Sequence, residues 1–287
     1  MTGSSFISRR ESFSRIGSTN DVVRAWLADG AAEVCLAVAD EQTAGRGRAG
    51  RSWTAPPGAG LLLSVGFRPT WLGPDRVWQL ASIVALSMAS AAEAVVGLPE
   101  LTIRLKWPND LVTEAVAGDV RKLGGVLGET SGLGGGDPRA IVGIGLNADW
   151  AEADFPVELA DSITSLRAVA AGEVKIDREI LLAAFLERLE TATVALRAGR
   201  FDAGGWVGRQ LTNGRPVRLS APDGGSIVVR ALGVDLVSGG LIVADPSSPQ
   251  GQRTVMSGEI VHLRLTDPDP DADADAQTPT PAHPVGV

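Results

Sequence analysis

The sequence has 287 residues, of which 44% are apolar and 21% charged, and a formal net charge of −8 at pH 7. This composition is typical of a soluble globular protein, and the acidic excess argues against a general nucleic-acid binder, which usually presents a broad basic face. The single cysteine, Cys35, excludes an internal disulfide and a thiolate metal cage. The two histidines, His262 and His283, are too few and too scattered to predict a metal site.

No membrane-associated segment is predicted. The N-terminal stretch MTGSSFISRRESFSRIGSTND lacks the continuous apolar region of a signal peptide. The apolar run that begins at Val77 is interrupted by Gln79, by serines and by Glu93, which favours a helix packed on a sheet over a membrane span. We therefore expect a cytoplasmic protein with no membrane partner.

Residues 1–208 have the pattern of an α+β domain. The segment STND provides capping side chains ahead of VVRAWLAD, so a helix is predicted to begin near Ser18 and to end at Gly30. A long Ala-rich helix and a strongly amphipathic helix that ends at Gly199 are also predicted. The predicted strands are VCLAVADE, LLLSVGFR, LTIRLKW, LVT, RKLGGVLGE and RAIVGIGLNAD. Together these elements indicate a mixed β-sheet backed by helices.

The residue pattern of the sequence changes after residue 208, where no further helix is predicted. Short β-type runs, RPVRLSA, SIVVRALGVD, GGLIVAD and RTVMSGEIVHLRL, are separated by Asp-Gly, Ser-Gly and Pro turns. They predict a small antiparallel SH3-like β-barrel over residues 209–265. Residues 266–287 are acidic, rich in proline and nearly devoid of large apolar side chains, so we expect a disordered tail that buries too little to offset its ordering entropy.

The segment TAGRGRAGRSW, residues 43–53, concentrates arginine and glycine in an acidic protein. Its glycines permit close approach of the backbone to an anion, and its arginines supply guanidinium forks suited to carboxylate and phosphate. It is not a Walker loop, because no Lys-Ser/Thr pair follows the glycines. From these residues alone, an anion clamp, an RNA-binding segment and a solvated surface loop all remain open.

Three other groups of residues favour the anion clamp. KWPND, residues 106–110, ends a strand with a cation, an aromatic face, a rigid turn, an amide and a carboxylate, although an ordinary turn would have the same sequence. Lys122 begins a strand that contains glycines, where its ammonium group could reach a ligand or simply extend into solvent. STND places hydroxyls and an amide at a helix N-terminus, where they could bind a ligand or merely cap the helix.

Taken together and in this order, the segments resemble the biotin protein ligases. The resemblance covers roughly residues 18–264 and rests on STND, EQTAGRGRAGRSW, KWPND, KLGGVLGE, IVGIGLN and the C-terminal RPVRL, GGL and GEIVHLR. It implies an enzyme that forms biotinyl-5′-AMP from biotin and MgATP and transfers biotin to one lysine of a biotin carboxyl carrier domain of an acyl-CoA or pyruvate carboxylase. Some members carry an N-terminal DNA-binding domain. Because STND lies so near the start of this sequence, we expect a form without that domain.

The resemblance also implies roles for individual residues. The biotin-binding residues are Ser18, Thr19, Asn20, Gln42, Arg46, Gly47, Arg48 and Lys122. The ATP-binding residues are Arg48, Arg51, Trp53, Asn109 and Asn147, and Asp110 is the candidate Mg²⁺ ligand. The residues expected to stabilise the reacting anions are Lys122, Arg46 and Arg48.

Two alternatives remain beside a biotin ligase. One is a lipoate–protein ligase of the same superfamily, and the other is a regulator that senses biotin or a nucleotide without turnover. The complete Gly/Arg segment together with KWPND favours biotin over lipoate. A monomer or weak homodimer is expected, with no nucleic-acid partner.

Overall fold

The computed structural model describes residues 6–115, 118–170, 175–257 and 262–265, the last of these by backbone alone. A seven-stranded sheet has the order β1-β2-β3-β7-β6-β5-β4. Its strands are β1 Arg9–Phe13, β2 Cys35–Ala39, β3 Gly60–Phe67, β4 Arg104–Lys106, β5 Asp110–Glu114, β6 Val120–Ser131 and β7 Arg139–Asn147. β1 and β2 are parallel and the other neighbours antiparallel, which confirms the predicted mixed sheet.

Helices cover both faces of this sheet. They are α1 Thr19–Ala28, α2 Trp78–Val96, α3 Leu166–Val169, α4 Arg178–Arg197 and α5 Ala203–Arg209. Side chains alternate between the two faces of a strand, and on β2 Cys35 packs with α1 whereas Leu36 belongs to the main core that contains α2 and α4. The face beneath α1 is therefore the one on which STND lies.

The Ala-rich helix is a core element, as the sequence predicts. The segment Pro74–Val96 is long and apolar enough to cross a membrane, but 67% of its most apolar window is buried inside the fold. α2 packs against α4, β6 and β7. Its apolar surface is thus covered by the protein itself.

A second, five-stranded sheet has the order β11-β10-β9-β8-β12. Its antiparallel strands are β8 Pro216–Ser220, β9 Ser226–Val234, β10 Leu241–Ala244, β11 Gln252–Val255 and β12 His262–Leu265. The β-type run RTVMSGEIVHLRL contains parts of two strands, β11 and β12, which pair with different partners at opposite edges of the sheet. The predicted disordered tail, residues 266–287, lies outside the described residues.

The chain between the two sheets fixes the KWPND turn. The Leu211 amide donates to the Leu105 carbonyl at 2.7 Å, and the Trp107 amide donates to Thr212 Oγ1 at 3.0 Å. The Trp107 indole also donates to the carbonyl of Gly239, in the turn before β10, at 3.0 Å. The loop that carries Asn109 and Asp110 is therefore held from both sheets.

A buried ion pair supports the same region. Arg209, at the end of α5, forms a bidentate contact with Glu93 of α2 at 2.7 and 2.8 Å, and both side chains are about 95% buried (5% and 4% exposed). Arg209 also donates to the Ile103 carbonyl, and Glu93 accepts from the Ile103 amide. Because these partners satisfy both charges, the pair fixes the approach to β4.

Candidate active site

One wall of a polar cavity is formed by STND at the start of α1. Ser18 occupies the N-cap position, but its side chain makes no capping hydrogen bond with the helix, so its hydroxyl remains available to a ligand. The amide and hydroxyl of Thr19 both donate to Gln42 Oε1, at 2.7 and 3.0 Å. Ser64 Oγ of β3 lies 2.7 Å from Thr19 Oγ1 and 2.5 Å from Asn20 Oδ1. These contacts fix the orientation of three of the polar groups predicted to bind a ligand.

Glycines of β7 allow this wall to approach the sheet. A Cβ atom on Gly143 would overlap the Asn20 side chain, and one on Gly145 would lie 2.5 Å from Trp53 Cε2. Trp53 Nε1 is buried without a hydrogen-bond partner among the described residues. An unsatisfied buried donor costs about 1–3 kcal/mol, so this indole is suited to an acceptor atom of a ligand.

Lys122 also lines this cavity and pairs with Asp110, which lines the larger cavity beside it. The register places Asp110 of β5 beside Gly125 of β6, and Gly125 beside Gly145 of β7, in one row across the sheet. The Lys122 ammonium lies 2.6 Å from Asp110 Oδ1 and 5.4 Å from the centroid of the Trp53 ring. A Cβ atom on Gly125 would approach Lys122 Nζ to 3.4 Å. The absence of a side chain there gives the ammonium access to the cavity.

The Gly/Arg loop forms a closed turn over the cavity. Arg46 and Ser52 form a β-bridge, and the Trp53 amide donates to the Gly45 carbonyl at 2.9 Å. At the tip, Ala49 and Gly50 have φ of 53° and 73°, in the left-handed region that glycine adopts without strain. The loop thereby places the Trp53 indole against Gly145.

The loop arginines have different surroundings. Arg46 contacts Asp21 through both terminal nitrogens, at 2.8 and 2.9 Å, and Glu129 at 3.2 Å. The hydrogen bond from Arg46 lowers the pKa of the Asp21 carboxyl, against the opposing effect of burial. Arg48 is more buried, donates to the Ser257 carbonyl, and has its pKa lowered mainly by burial. Arg51 lies in a groove, here called the outer groove, that residues 44–52 of the loop form with Leu127, Glu129 and Ser257.

The structure brings most of the predicted site residues together. The polar cavity is lined by Ser18, Thr19, Asn20, Gln42, Arg46, Trp53, Asn109 and Lys122. Arg48 and Asp110 line a larger, mostly apolar cavity beside it, and Gly47 lies with Arg51 in the outer groove. Asn147 lines neither cavity, and its buried amide donates to the Thr164 carbonyl at 2.9 Å.

Sequence reasoning missed several residues of the site. Asp21 and Glu129 hold Arg46, and Ser64 bonds to the STND wall. The sequence did contain a signal for Gly143 and Gly145, because alternate glycines in IVGIGLN fall on one face of a strand and mark a close approach of another group. It contained no signal for the partners of Arg46, since Asp21 and Glu129 are many positions away and lie in different elements.

The described residues contain no group of three or more His, Cys, Asp or Glu side chains that could hold a metal ion. Asp110 is a single carboxylate at the edge of the site. A metal that arrives with phosphate groups needs only one or two protein carboxylates, so the side chains present fit a nucleotide-bound Mg²⁺ and do not form a closed protein site.

Comparisons with known proteins show which family the chain resembles. Residues 12–147 match the model of the Biotin/lipoate A/B protein ligase family. The chain is 34% identical over 253 residues to the biotin–[acetyl-CoA-carboxylase] ligase of Mycobacterium tuberculosis, covering 86% of each chain. The biotin protein ligase of Aquifex aeolicus in complex with biotin and ATP superposes with a TM-score of 0.72 at 27% identity, covering 91% of this chain and 100% of that one. The Leishmania major enzyme in complex with biotinyl-5-AMP has a TM-score of 0.56 at 25% identity, over 87% of this chain and 99% of that one.

Proposed function

The chain belongs to the biotin/lipoate protein ligase family, and we propose that its polar cavity activates biotin with ATP and then transfers it to a protein lysine. The observation that carries this proposal is a cavity that combines fixed polar groups with Lys122, whose ammonium pairs with Asp110 of the adjoining cavity. A ureido ring offers one acceptor oxygen and two N–H donors. Ser18, Thr19, Asn20 and Gln42 supply the complementary hydroxyl and amide groups.

The first step joins two anions. A carboxylate oxygen of biotin attacks the α-phosphorus of ATP, the bond to the bridging oxygen breaks, and pyrophosphate leaves. Two unit charges about 4 Å apart repel by about 1 kcal/mol in water but by about 4 kcal/mol at an effective dielectric constant near 20. A fixed cation converts this repulsion into attraction and stabilises the charge that develops in the transition state.

We assign this role to Lys122, with Arg48 on the nucleotide side. Lys122 is held between Asp110 and the Trp53 ring, so its position is set before the substrates bind. Mg²⁺, the expected metal for ATP, would neutralise part of the phosphate charge. Asp110 is the residue proposed to hold it, and Asn109 is proposed to bind the nucleotide. Asn109 is fixed by donating to the Val126 carbonyl at 3.0 Å.

The second step needs no side-chain nucleophile. The amine of a carrier lysine attacks the acyl carbon of the mixed anhydride, AMP leaves, and the amine loses its proton as the amide forms. Because water also hydrolyses a mixed anhydride, the Gly/Arg loop is proposed to order over it and to exclude solvent. Arg48 and Arg51 are the proposed phosphate contacts, with Gly47 allowing the loop to close and Trp53 and Asn147 beside the adenine.

The finer features of the account are also proposals. We propose a carboxyl carrier domain of an acyl-CoA or pyruvate carboxylase as acceptor, a cytoplasmic location, and a monomer or weak homodimer. We further propose a catalytic domain over residues 1–208, an SH3-like barrel over residues 209–265 and a tail over residues 266–287. The acceptor proposal is supported by the name of the Mycobacterium tuberculosis relative.

The test is exchange of labelled pyrophosphate into ATP by the full chain, with biotin or lipoate as the acid. We expect exchange that depends on biotin and is at least about a hundredfold slower with lipoate, since a cavity built to hydrogen-bond a polar group rejects a ligand that lacks it. Exchange that is faster with lipoate than with biotin would favour a lipoate ligase. Binding of biotin without exchange would favour a regulator.

A further inference from the structure

Arg46 is part of a four-residue charge cluster at the rim of the polar cavity. Its guanidinium contacts Asp21 at 2.8 and 2.9 Å and Glu129 at 3.2 Å. Arg24 contacts the same two carboxylates. The cluster therefore has two positive and two negative charges and joins α1, the Gly/Arg loop and β6.

This cluster changes what Arg46 can contribute electrostatically. A guanidinium whose fork is filled by a carboxylate, with a second carboxylate beside it, presents little net charge to a phosphate. Arg48 of the same loop donates to the Ser257 carbonyl and contacts neither Asp21 nor Glu129 in any described hydrogen bond or ion pair.

The position of Arg46 is coupled to the cavity through its neighbours. Gly45, which precedes it, accepts a hydrogen bond from the Trp53 amide, and Ser52 bridges Arg46 itself. The Trp53 indole then rests on Gly145. On the other side, Asp21 directly follows Asn20 of the polar wall. Holding Arg46 against Asp21 therefore sets the spacing between Trp53 and that wall.

We propose that Asp21 and Glu129 are positioning residues that hold Arg46 in place. Through Arg46 they hold the base of the Gly/Arg loop in the position that closes the biotin cavity. This inference rests on the proposed function. It assigns Arg46 to the binding of biotin rather than to stabilisation of phosphate charge.

The test uses the full chain with Asp21→Asn, Glu129→Gln, the double variant and Arg46→Gln, measured by pyrophosphate exchange at varied biotin and ATP. We expect the double variant and Arg46→Gln each to raise the KM for biotin about tenfold, with kcat at saturating biotin and the KM for ATP within about threefold of the parent. Combining Arg46→Gln with Asp21→Asn should add little, because both remove the same contact.

A matched control is Asp137→Asn. Asp137 also lies between two arginines, Arg68 and Arg139, but lines neither cavity. It should leave both KM values unchanged.

Three results would overturn the proposal: an unchanged KM for biotin in the double variant, a loss of kcat of a hundredfold or more in Arg46→Gln alone, or a fall in melting temperature with both KM values rising together. Absence of any biotin-dependent exchange by the parent chain would instead refute the proposed function, and this inference with it.

Discussion

Replacing Lys122 by alanine removes the cation that the account places between the two reacting anions. Loss of one such contact typically costs about 2.7–4 kcal/mol, or two to three decades in kcat. We expect a loss within that range. Asp110, 2.6 Å from the ammonium in the parent, remains available to hold Mg²⁺ in the variant, so the loss of rate reports the missing cation.

The fold should tolerate this change. The Lys122 side chain is 33% exposed, and an ion pair of this kind contributes at most about 1 kcal/mol to the free energy of unfolding, which corresponds to a melting-temperature shift below about 4 °C. Pyrophosphate exchange at saturating biotin and ATP measures the rate, and a thermal melt measures stability.

Arg121→Ala is the matched control for Lys122→Ala. Arg121 is the preceding residue of the same strand and also forms ion pairs, with Asp119 and Glu152. Its removal should leave exchange near the parent rate. Near-parental exchange by a folded Lys122→Ala variant, or an equal loss in both variants, would refute the role given to Lys122.

Three further changes test other parts of the proposed mechanism. Arg48→Ala should release biotinyl-AMP faster than the parent and increase promiscuous labelling of bystander proteins. In the parent, amide hydrogen exchange across residues 43–53 should slow when biotinyl-AMP binds, and equal protection in both states would contradict a closing loop. Gly145→Ala should raise the KM for biotin at least about tenfold, because the added methyl group displaces Trp53; unchanged binding of biotin by calorimetry would contradict that placement. Removing residues 267–287 should leave melting temperature and ligation unchanged, since their composition allows little burial; a drop in either would show that the tail contributes.

Most strands and helices could be predicted because their apolar patterns are strong and their ends are marked. The long Ala-rich helix ends at Gly97 in the left-handed conformation, and the amphipathic helix ends just before Gly199. β1 was missed, since RRESF is charged, largely exposed and has no alternating apolar pattern. Its parallel pairing with β2 is a tertiary contact that the local sequence does not encode.

The candidate site also contains one part that the local sequence predicts and another that depends on tertiary contacts. Short motifs such as STND and KWPND keep their polar groups close together in the chain, so their joint role could be inferred. The carboxylates around Arg46 come from α1 and β6, and only the fold brings them to the loop. The hydrogen bond from Asn147 to Thr164 likewise depends on a segment far along the chain.

The central claim is ATP-dependent attachment of biotin to one lysine of a carrier domain. Its most direct measurement is the intact mass of a purified biotin carboxyl carrier domain after incubation with the full chain, biotin and MgATP. We expect a single biotinyl addition, located on one lysine and absent when ATP is omitted. No addition under these conditions, or an equal addition without ATP, would contradict it.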